Sequence, residues 1–232
     1  MTDLSIVIPA YNEEETAGGV VRAHLDLARR LVSSFEVLVC DDGSTDGTPW
    51  VLSEAAGAAP EVRVLRNERN EGIPATMKRL YREARGDWVY FTPADGQLAV
   101  GALERMWDAR DDAALVVGRR VPRRDPFTRV LIAEVYSTIL RRAFRLPVHD
   151  IDSVKLYRGA DLRSLQVRSR SNFFEAEMLI ALCRRRWPVV EVVVEHRPRI
   201  AGVPKGVTPM SALLALWEVG RFMLSDFVRA ER

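Results

Sequence analysis

Short apolar runs that end in polar turns recur through the first half of the chain. They predict strands over residues 4–9, 35–40, 61–66, 87–91 and 113–118. The segments between these runs indicate helices, so strands and helices alternate along the chain. This alternation predicts an α/β, three-layer fold, in which helices cover both faces of a mostly parallel central sheet.

The second half predicts longer helices and one more strand. The elements are a helix over 128–146, a helix that opens at residue 172, a strand over 187–195 and a last helix from residue 208. The helix over 128–146 has apolar residues at helical spacing and three arginines near its end. Such a basic amphipathic helix either lies on an anionic membrane face or covers the sheet, and the pattern fits both arrangements. The apolar stripe of the last helix is typical of a core-facing helix.

Composition indicates a folded protein without a protein-wide affinity for nucleic acid. Hydrophobic residues make up 47% and charged residues 28% of the 232 positions, which is the balance of an ordinary globular domain. The 34 basic and 32 acidic side chains leave a net charge of +2, too small for general nucleic-acid binding. Arginines nevertheless crowd the second half, so we expect that half to face an anionic substrate or a membrane surface.

Cysteine usage and hydropathy predict a cytoplasmic location. Cys40 and Cys183 lie far apart without CxxC spacing, which indicates buried free thiols in a reducing compartment. The N-terminus shows no signal-peptide pattern, and no apolar run reaches the ~20 residues that a bilayer span requires. Reversible peripheral contact with the inner face of a membrane is the most that the last helix supports.

Acidic residues lie in the turns that follow two of the predicted strands. Asp41 and Asp42 end the strand over 35–40, and Asp95 follows the strand over 87–91. Ligands of open α/β sheets collect at the carboxyl ends of strands. One acid of the Asp41–Asp42 pair can accept a hydrogen bond from a ribose hydroxyl or a base N–H, and Gly72 at a later strand-to-helix junction lets the backbone approach a ligand.

We expect a divalent cation at Asp95 to neutralise the negative charge of a nucleotide diphosphate. The chain has neither a GxGxxG nor a GxxxxGK[ST] motif, so a glycine-rich phosphate loop is not indicated. Hard cations prefer oxygen ligands and share their coordination shell with phosphates. The stretch 90–97 therefore predicts the ligand-facing edge of the sheet.

Four segments in order resemble family 2 glycosyltransferases with the glycosyltransferase-A (GT-A) fold, also described as the nucleotide-diphospho-sugar transferase fold. They cover residues 6–14, 41–48, 70–72 and 94–97. Within that family, the chain looks like the polyprenol-phosphate (dolichol-phosphate mannosyl) glycosyltransferases. The resemblance implies a single GT-A domain over 1–232. It comprises a nucleotide-sugar half over 1–118, an acceptor-side half over 119–207 and a C-terminal amphipathic helix over 208–232.

The resemblance assigns roles on the donor side. The residues it places against the nucleotide are Pro9, Tyr11, Glu13, Asp41 or Asp42, and Gly72. It implies that Asp95 binds Mg²⁺ or Mn²⁺ bridging the donor diphosphate, with Gln97 as a second contact in the metal shell. One departure stands out, because the family usually has an acid where this chain has Pro93, a residue that cannot ligate a metal. Metal binding then rests on Asp95, Gln97 and water, or metal dependence is weakened.

The resemblance also assigns roles on the acceptor side. Asp150 and Ser153 shape the acceptor site, and Lys155 stands where the family carries a cation for the acceptor phosphate. Glu177 orients the donor sugar, whereas Glu175 is interpreted as a first-turn acid of its helix. Arg199 and Lys205 correspond to a loop that clamps the diphosphate on closing. His196 is interpreted as a phosphate contact, since no histidine has metal-ligand spacing.

The expected activity is an inverting transfer of a sugar from a nucleotide-diphosphate sugar to a polyprenyl phosphate. Such an acceptor is already an anionic nucleophile, so positioning and charge neutralisation by Asp95, Asp150 and Lys155 would suffice. A soluble hydroxyl acceptor is the alternative, and it would need Asp150 or Asp152 as a base. A third reading is a nucleotide-sugar-binding protein without catalysis, which the proline at position 93 favours.

Overall fold

The computed structural model describes residues 2–124, 127–198 and 209–230. Its strands are β1 (Leu4–Ala10), β2 (Phe35–Asp41), β3 (Val62–Arg66), β4 (Trp88–Phe91), β5 (Leu115–Arg120), β6 (Lys155–Arg158) and β7 (Val189–Val194). Its helices are α1 (Ala17–Leu31), α2 (Thr48–Ala58), α3 (Ile73–Glu83), α4 (Gly101–Asp108), α5 (Phe127–Phe144), α6 (Gly159–Arg163), α7 (Phe173–Arg184) and α8 (Pro209–Ala230).

The strands form one seven-stranded sheet in the order β3-β2-β1-β4-β6-β5-β7. Neighbouring strands pair in parallel, except that β6 is antiparallel to both β4 and β5. The predicted mostly parallel sheet is therefore confirmed. The parallel pairs turn their carboxyl ends toward one edge, and β6 begins at that same edge because it runs the opposite way.

Alternating side chains of the strands fill a core on each face of the sheet. In β1, Ile6 and Ile8 pack in a core cluster with residues of α1, α2 and α4, whereas Val7 packs in a second cluster with residues of α3, α5, α7 and α8. Successive strand residues point to opposite faces, so one apolar run serves both clusters. The result is the three-layer arrangement that the sequence predicts.

Each strand and long helix expected from the hydrophobic pattern is present, with ends shifted by a few residues. Strand β6 is not predicted from the sequence, because its four residues Lys-Leu-Tyr-Arg lack a long apolar run. The helix over 128–146 corresponds to α5 and the final stripe to α8. Within the described ranges, no helix is both long and apolar enough to cross a membrane.

Candidate functional site

The loops at the carboxyl edge of the sheet carry the acids that the sequence singles out. The β1–α1 and β2–α2 loops are joined by hydrogen bonds in this region. The Asn12 N–H donates to Ser44 Oγ at 2.9 Å, and the Glu13 N–H donates to Thr48 Oγ1 at 2.8 Å. Asn12 Oδ1 in turn accepts the Thr45 N–H at 2.8 Å. These bonds fix one continuous rim of loops beside the sheet.

The first of these loops carries three residues expected at the nucleotide. Pro9 is buried at the end of β1, whereas Tyr11 and Glu13 are half-buried in the loop that follows. Glu13 Oε2 accepts the Thr16 hydroxyl at 3.1 Å. The loop thus presents Tyr11 and Glu13 at the carboxyl edge, as the resemblance requires, and their contact with a nucleotide stays a prediction.

Asp42 organises the neighbouring β3–α3 loop. Its Oδ1 accepts the Asn67 side-chain amide at 2.7 Å and the Glu71 N–H at 2.9 Å, while its Oδ2 accepts the Gly72 N–H at 2.9 Å. Gly72 adopts φ 83°, a conformation that favours glycine. The buried Asp42 carboxylate therefore holds the glycine turn in place, a structural task beyond the predicted nucleotide contact.

Asp41 occupies a different environment from its neighbour. It is 1% exposed, its Oδ1 accepts the Ser44 N–H at 3.0 Å, and its Oδ2 lies 3.2 Å from Arg66 Nε. The two acids are therefore not interchangeable. Asp41 faces the β2–α2 loop and Arg66, whereas Asp42 faces the β3–α3 loop.

Asp95 lies on the loop after β4, buried beside Gln97. Both side chains are 8% exposed, and Asp95 Oδ1 accepts the Gln97 N–H at 3.0 Å across Gly96, which has φ 68°. Carboxylate and amide oxygens are ligands that Mg²⁺ and Mn²⁺ accept. The half-buried Pro93 adds no ligand. In the part of the chain that the structure describes, no group of three or more His, Cys, Asp and Glu side chains could hold a metal ion.

Residues distant in sequence reach the Asp95 loop from the end of β7. The Arg197 N–H donates to the Gln97 carbonyl at 2.7 Å, and Leu98 forms an antiparallel bridge with His196. His196 is 4% exposed, and its Nδ1 accepts the Arg124 N–H at 2.9 Å. In the neutral ring this bond leaves the proton on Nε2, the tautomer that donates to a phosphate oxygen.

Asp150 is paired with two arginines at the carboxyl end of β5, Arg120 within the strand and Arg123 after it. Arg120 binds it through two nitrogens, Nε to Oδ2 at 2.8 Å and Nη2 to Oδ1 at 2.7 Å, and Arg123 Nη1 lies 3.8 Å from Oδ1. Burial acts to raise the pKa of Asp150, but the hydrogen bonds and charges of these arginines outweigh it and lower the pKa below 3.8. Asp150 is thus a poor general base. The other base candidate, Asp152, is exposed.

Lys155 departs from the role that the resemblance implies. Its side chain is fully buried, its Nζ lies 2.6 Å from Glu175 Oε2, and it donates to the Ser153 carbonyl at 3.1 Å. The hydroxyls of Tyr81 and Tyr157 donate to the same Glu175 carboxylate at 3.1 and 3.2 Å. The lysine presents no surface to an acceptor phosphate here, because Glu175 neutralises it inside the core.

Glu175 is a first-turn acid of α7, as expected, and it also forms a buried ion pair that the sequence does not reveal. Ser153, beside this pair, is 3% exposed, and its hydroxyl has no hydrogen-bond partner among the described residues. A buried hydroxyl of that kind is costly unless a ligand or water engages it. Ser153 consequently remains a candidate for the acceptor site.

Glu177 contacts protein backbone. Its carboxylate accepts the Arg168 N–H at 3.1 Å and the Ser169 N–H at 2.8 Å, which fixes the segment before α7. The predicted contact with a donor sugar has no support in these bonds. Arg199 and Lys205, the predicted diphosphate clamp, lie outside the described residues.

Arg120, Arg123 and Arg197 are not singled out by the sequence pattern, which shows only that arginines crowd the second half. The register places them at the site, since Arg120 pairs with Val194 of β7 and the Arg197 backbone reaches Gln97. Their only sequence signal is a local excess of arginine. The structure thus brings Asp95, Gln97, His196 and Asp150 to one edge together with cations from the second half.

Comparison with known proteins identifies a matching family and relatives that cover most of the chain. Residues 5–163 match the family described as glycosyl transferase family 2. An uncharacterized glycosyltransferase of Mycobacterium tuberculosis is 31% identical over 224 residues, covering 93% of this chain and 97% of that protein. The undecaprenyl-phosphate 4-deoxy-4-formamido-L-arabinose transferase of Pectobacterium atrosepticum is 30% identical over 209 residues, covering 88% of this chain but 62% of that protein.

Solved structures show the same fold at lower identity. Glucosyl-3-phosphoglycerate synthase from Mycobacterium tuberculosis, in complex with phosphoglyceric acid, aligns with a TM-score of 0.72 and 22% identity, covering 97% of this chain and 79% of the synthase. Its complex with Mn²⁺, UDP and glucosyl-3-phosphoglycerate aligns with a TM-score of 0.67 and 21% identity, covering 88% and 73%. The predicted GT-A fold is thereby confirmed, and the family match confirms the predicted glycosyltransferase class. With a family match over residues 5–163 and a 31% identical relative along almost its whole length, the chain belongs to glycosyl transferase family 2.

Proposed function

We propose that this protein transfers a sugar from a nucleoside-diphosphate sugar to a polyprenyl phosphate, with inversion at the anomeric carbon. The observation that carries the proposal is the junction of the Asp95–Gln97 loop with the end of β7. It sets a buried carboxylate and amide beside His196 and the Arg197 backbone. Acidic and basic groups in one place suit a diphosphate that binds a cation on one side and protein donors on the other.

Asp95 and Gln97 are the residues that would hold Mg²⁺ or Mn²⁺. The Asp95 carboxylate and the Gln97 amide supply oxygen ligands on one short loop, and the fold neighbour was crystallised with Mn²⁺ or Mg²⁺ and UDP. A bound divalent cation would neutralise charge on the departing diphosphate. His196, through Nε2–H, would donate to the same diphosphate, with Arg199 and Lys205 as further contacts. Pro9, Tyr11, Glu13, Asp41 and Gly72 would line the nucleotide.

The acceptor proposal rests on the relatives and on the state of Asp150. The Pectobacterium relative is named as acting with undecaprenyl phosphate, a polyprenyl phosphate. In the transfer, an acceptor phosphate oxygen bonds to the anomeric carbon as the bond from that carbon to the donor diphosphate breaks, releasing a nucleoside diphosphate. An ionised phosphate needs no base, which suits an Asp150 whose pKa is lowered by Arg120 and Arg123.

Arg120 and Arg123 are the cations that we assign to the acceptor phosphate, in place of the buried Lys155. Arg120 ends β5 and Arg123 follows it at the carboxyl edge, and both have Asp150 as a described carboxylate partner. Guanidinium groups bind phosphate with directional pairs of hydrogen bonds. Asp150 would orient them, and Ser153 would offer its buried hydroxyl. We further propose that the reaction takes place at the cytoplasmic face of a membrane and that residues 1–232 form a single domain.

Asp95→Ala tests the donor side. Transfer from UDP- and GDP-sugars to a short-chain polyprenyl phosphate, and release of nucleoside diphosphate, are measured with and without Mn²⁺. We expect roughly a hundredfold loss or more, because transition-state charge stabilisation is removed. Asp111→Ala is the matched control, since Asp111 is 79% exposed in the turn before β5, at the opposite edge of the sheet. Unchanged activity in Asp95→Ala would contradict the assigned metal role.

The acceptor is tested with the wild-type protein and separate acceptor pools. A polyprenyl phosphate, a soluble phosphorylated acid and a soluble sugar are offered with the same donor. Transfer to the polyprenyl phosphate alone supports the proposal. Transfer to a soluble acceptor only would assign the protein to the soluble-acceptor class, to which glucosyl-3-phosphoglycerate synthase belongs by name. Tight donor binding without turnover on any acceptor would indicate a binding protein.

A further inference from the structure

Two neighbouring helices expose apolar side chains that the core does not use. Leu131, Ile132 and Val135 of α5 and Leu216, Trp217 and Leu224 of α8 each have more than half of their surface exposed. Their spacing of three, four and seven residues places them along one side of each helix. We call these six residues the α5/α8 face.

The opposite sides of the same helices are buried against each other and against α7. Phe144 of α5 and Phe222 of α8 meet edge to face with ring centroids 5.7 Å apart, and Phe222 meets Phe173 of α7 at 5.4 Å. Leu140 and Val219 are buried in the same core cluster. Both helices therefore already have a core-facing side, and the α5/α8 face is a second apolar side that the described fold leaves uncovered.

Cationic side chains border the α5/α8 face. Arg142 and Arg145 are exposed at the end of α5, and the Arg221 guanidinium lies 4.7 Å from the centre of the Trp217 ring. Glu218 is the acid among residues 214–224 of α8. It is turned inward, where it accepts the Arg170 N–H at 2.7 Å and the Ser171 N–H at 3.0 Å. One exposed acid, Glu134, lies on α5 near Leu131 and Val135, so the border carries three exposed cations against one exposed acid and is positive on balance.

An apolar face with a cationic border and an exposed tryptophan has the chemistry of an interfacial membrane helix pair. Anionic headgroups would pair with the arginines, while Trp217 and the leucines would enter the headgroup–acyl boundary. A second copy of the chain fits less well, because a two-fold contact would bring the same cationic border against itself. The charge of the border thus selects an anionic bilayer as the partner.

We propose that the α5/α8 face docks this protein on the surface of an anionic lipid bilayer without spanning it. The inference deepens the proposed function, on which it rests for its purpose, because a polyprenyl phosphate acceptor is held in a bilayer. The face itself is defined by the exposure and charge of the two helices. Both of the alternatives that the sequence allows for α5 then hold, one for each side of the helix.

Vesicle sedimentation of the full-length protein tests the docking. Vesicles of phosphatidylcholine alone or with phosphatidylglycerol are used, without nucleotide or polyprenyl phosphate. We expect clear preference for the anionic vesicles and about a tenfold or greater loss of binding in Trp217→Glu with Leu224→Glu. Trp50→Glu is the matched control, because Trp50 is 65% exposed on α2, across the sheet from the α5/α8 face. It should bind as the wild type does.

A second variant guards against misfolding of the first. Arg142→Glu with Arg221→Glu changes only exposed charges, and it should lose the preference for anionic vesicles while keeping the wild-type circular dichroism spectrum and Tm. Equal vesicle binding by wild type and the Trp217/Leu224 variant would overturn the proposal. So would a wild type that ignores vesicles but forms a dimer that this variant abolishes.

Separate readouts distinguish this inference from the proposed function. The Trp217/Leu224 variant should retain transfer to a short-chain, water-soluble polyprenyl phosphate, whereas Asp95→Ala should retain vesicle binding. Loss of vesicle binding together with retained soluble transfer supports the docking face. Vesicle binding by the wild type with no transfer to any polyprenyl phosphate would leave the face intact and overturn its stated purpose.

Discussion

Lys155 and Glu175 form an ion pair in which both residues are buried. Lys155 has no exposed surface, and Glu175 also accepts hydrogen bonds from Tyr81 and Tyr157. Removing one member of such a pair leaves an uncompensated charge, which costs more than the pair itself contributes. The two residues are therefore coupled in their effect on stability.

Lys155→Met should lower the free energy of unfolding by about 3 kcal/mol, because the Glu175 carboxylate loses its cation while remaining buried. Lys155→Met combined with Glu175→Gln should recover much of that loss, since no buried charge remains. Urea denaturation of the wild type, both single variants and the double variant measures the coupling. A double variant as unstable as the sum of the single variants would show that the two charges do not interact.

Asp150 should make stability depend on pH in acid. Its carboxylate is buried, which raises its pKa, but Arg120 and Arg123 lower the pKa below the ordinary 3.8. A carboxyl group with a lower pKa in the folded state stabilises the fold above its unfolded pKa and loses that contribution as pH falls through the folded value. The stabilisation is thus fully present at neutral pH, begins to be lost below about pH 4 and is lost progressively as the pH falls through the lower folded pKa.

Urea unfolding of wild type and Asp150→Asn, near neutral pH and at about pH 3, measures this contribution. We expect the variant to be less stable than the wild type at neutral pH, with the gap shrinking in acid. Asp111→Asn, an exposed acid, controls for the change in net charge. A gap that is the same at both pH values would refute the stabilising pair of Asp150 and the arginines.

The positions of acids at strand ends could be predicted from sequence, but their partners could not. Asp41 and Asp42 follow an apolar run directly and Asp95 follows one after three residues, so locating the runs locates the acids. The burial of Lys155 depends on Glu175, which follows it by 20 residues on a helix whose packing no local pattern reveals. A lysine at the start of a strand looks accessible until the helix that covers it is known.

At the scale of elements, the β2–α2 and β3–α3 loops are in backbone contact at Gly43. This residue adopts φ 69°, and a Cβ placed on it would collide with the Arg69 backbone. Gly57 in α2 offers a contrast, because a Cβ there meets no heavy atom within 4 Å. Glycine is therefore required at position 43, whereas position 57 can accept a side chain.

Gly43→Ala should destabilise the protein by roughly 2 kcal/mol or more, because both the positive φ and the loop contact are incompatible with a side chain. Gly57→Ala should raise stability by about 0.5 to 1 kcal/mol, as expected for glycine replaced inside a helix. Thermal unfolding followed by circular dichroism compares the two variants with the wild type. Equal effects of the two substitutions would argue against the close loop contact at Gly43.

The predictability of each element follows from the length of its pattern. The parallel strands bury both faces and therefore read as continuous apolar runs, which makes them visible in the sequence. Strand β6 has four residues, with Lys155 and Arg158 at its ends, and its place depends on insertion between β4 and β5. The sequence of α5 fits both a membrane-facing and a sheet-covering helix, because α5 has a buried apolar side and an exposed apolar side. The hydrophobic pattern does not distinguish the two sides.

At the scale of the whole molecule, the donor and acceptor halves share one sheet. The boundary between 118 and 119 falls inside β5, and β6 from the second half lies between β4 and β5. Val154, Leu156 and Val194 from the second half belong to the same core cluster as β1. The donor half and the acceptor half are therefore regions of one site, and the shared sheet and core indicate a single folding unit.

We expect the full-length protein to unfold in a single transition. Each half contains a tryptophan, Trp88 in β4 and Trp187 just before β7. If one half unfolded alone, the urea transition followed by tryptophan fluorescence would differ from the transition followed by circular dichroism. Coincident urea transitions by the two methods are the expected result, because β4 cannot lose β6 without exposing the core on both faces. A fragment of residues 1–118 should remain unfolded, since it lacks β6, one of the two strands that pair with β4, and ends before β5 is complete. Two separated transitions, or a fragment with a cooperative melt of its own, would instead establish the nucleotide half as an independent domain.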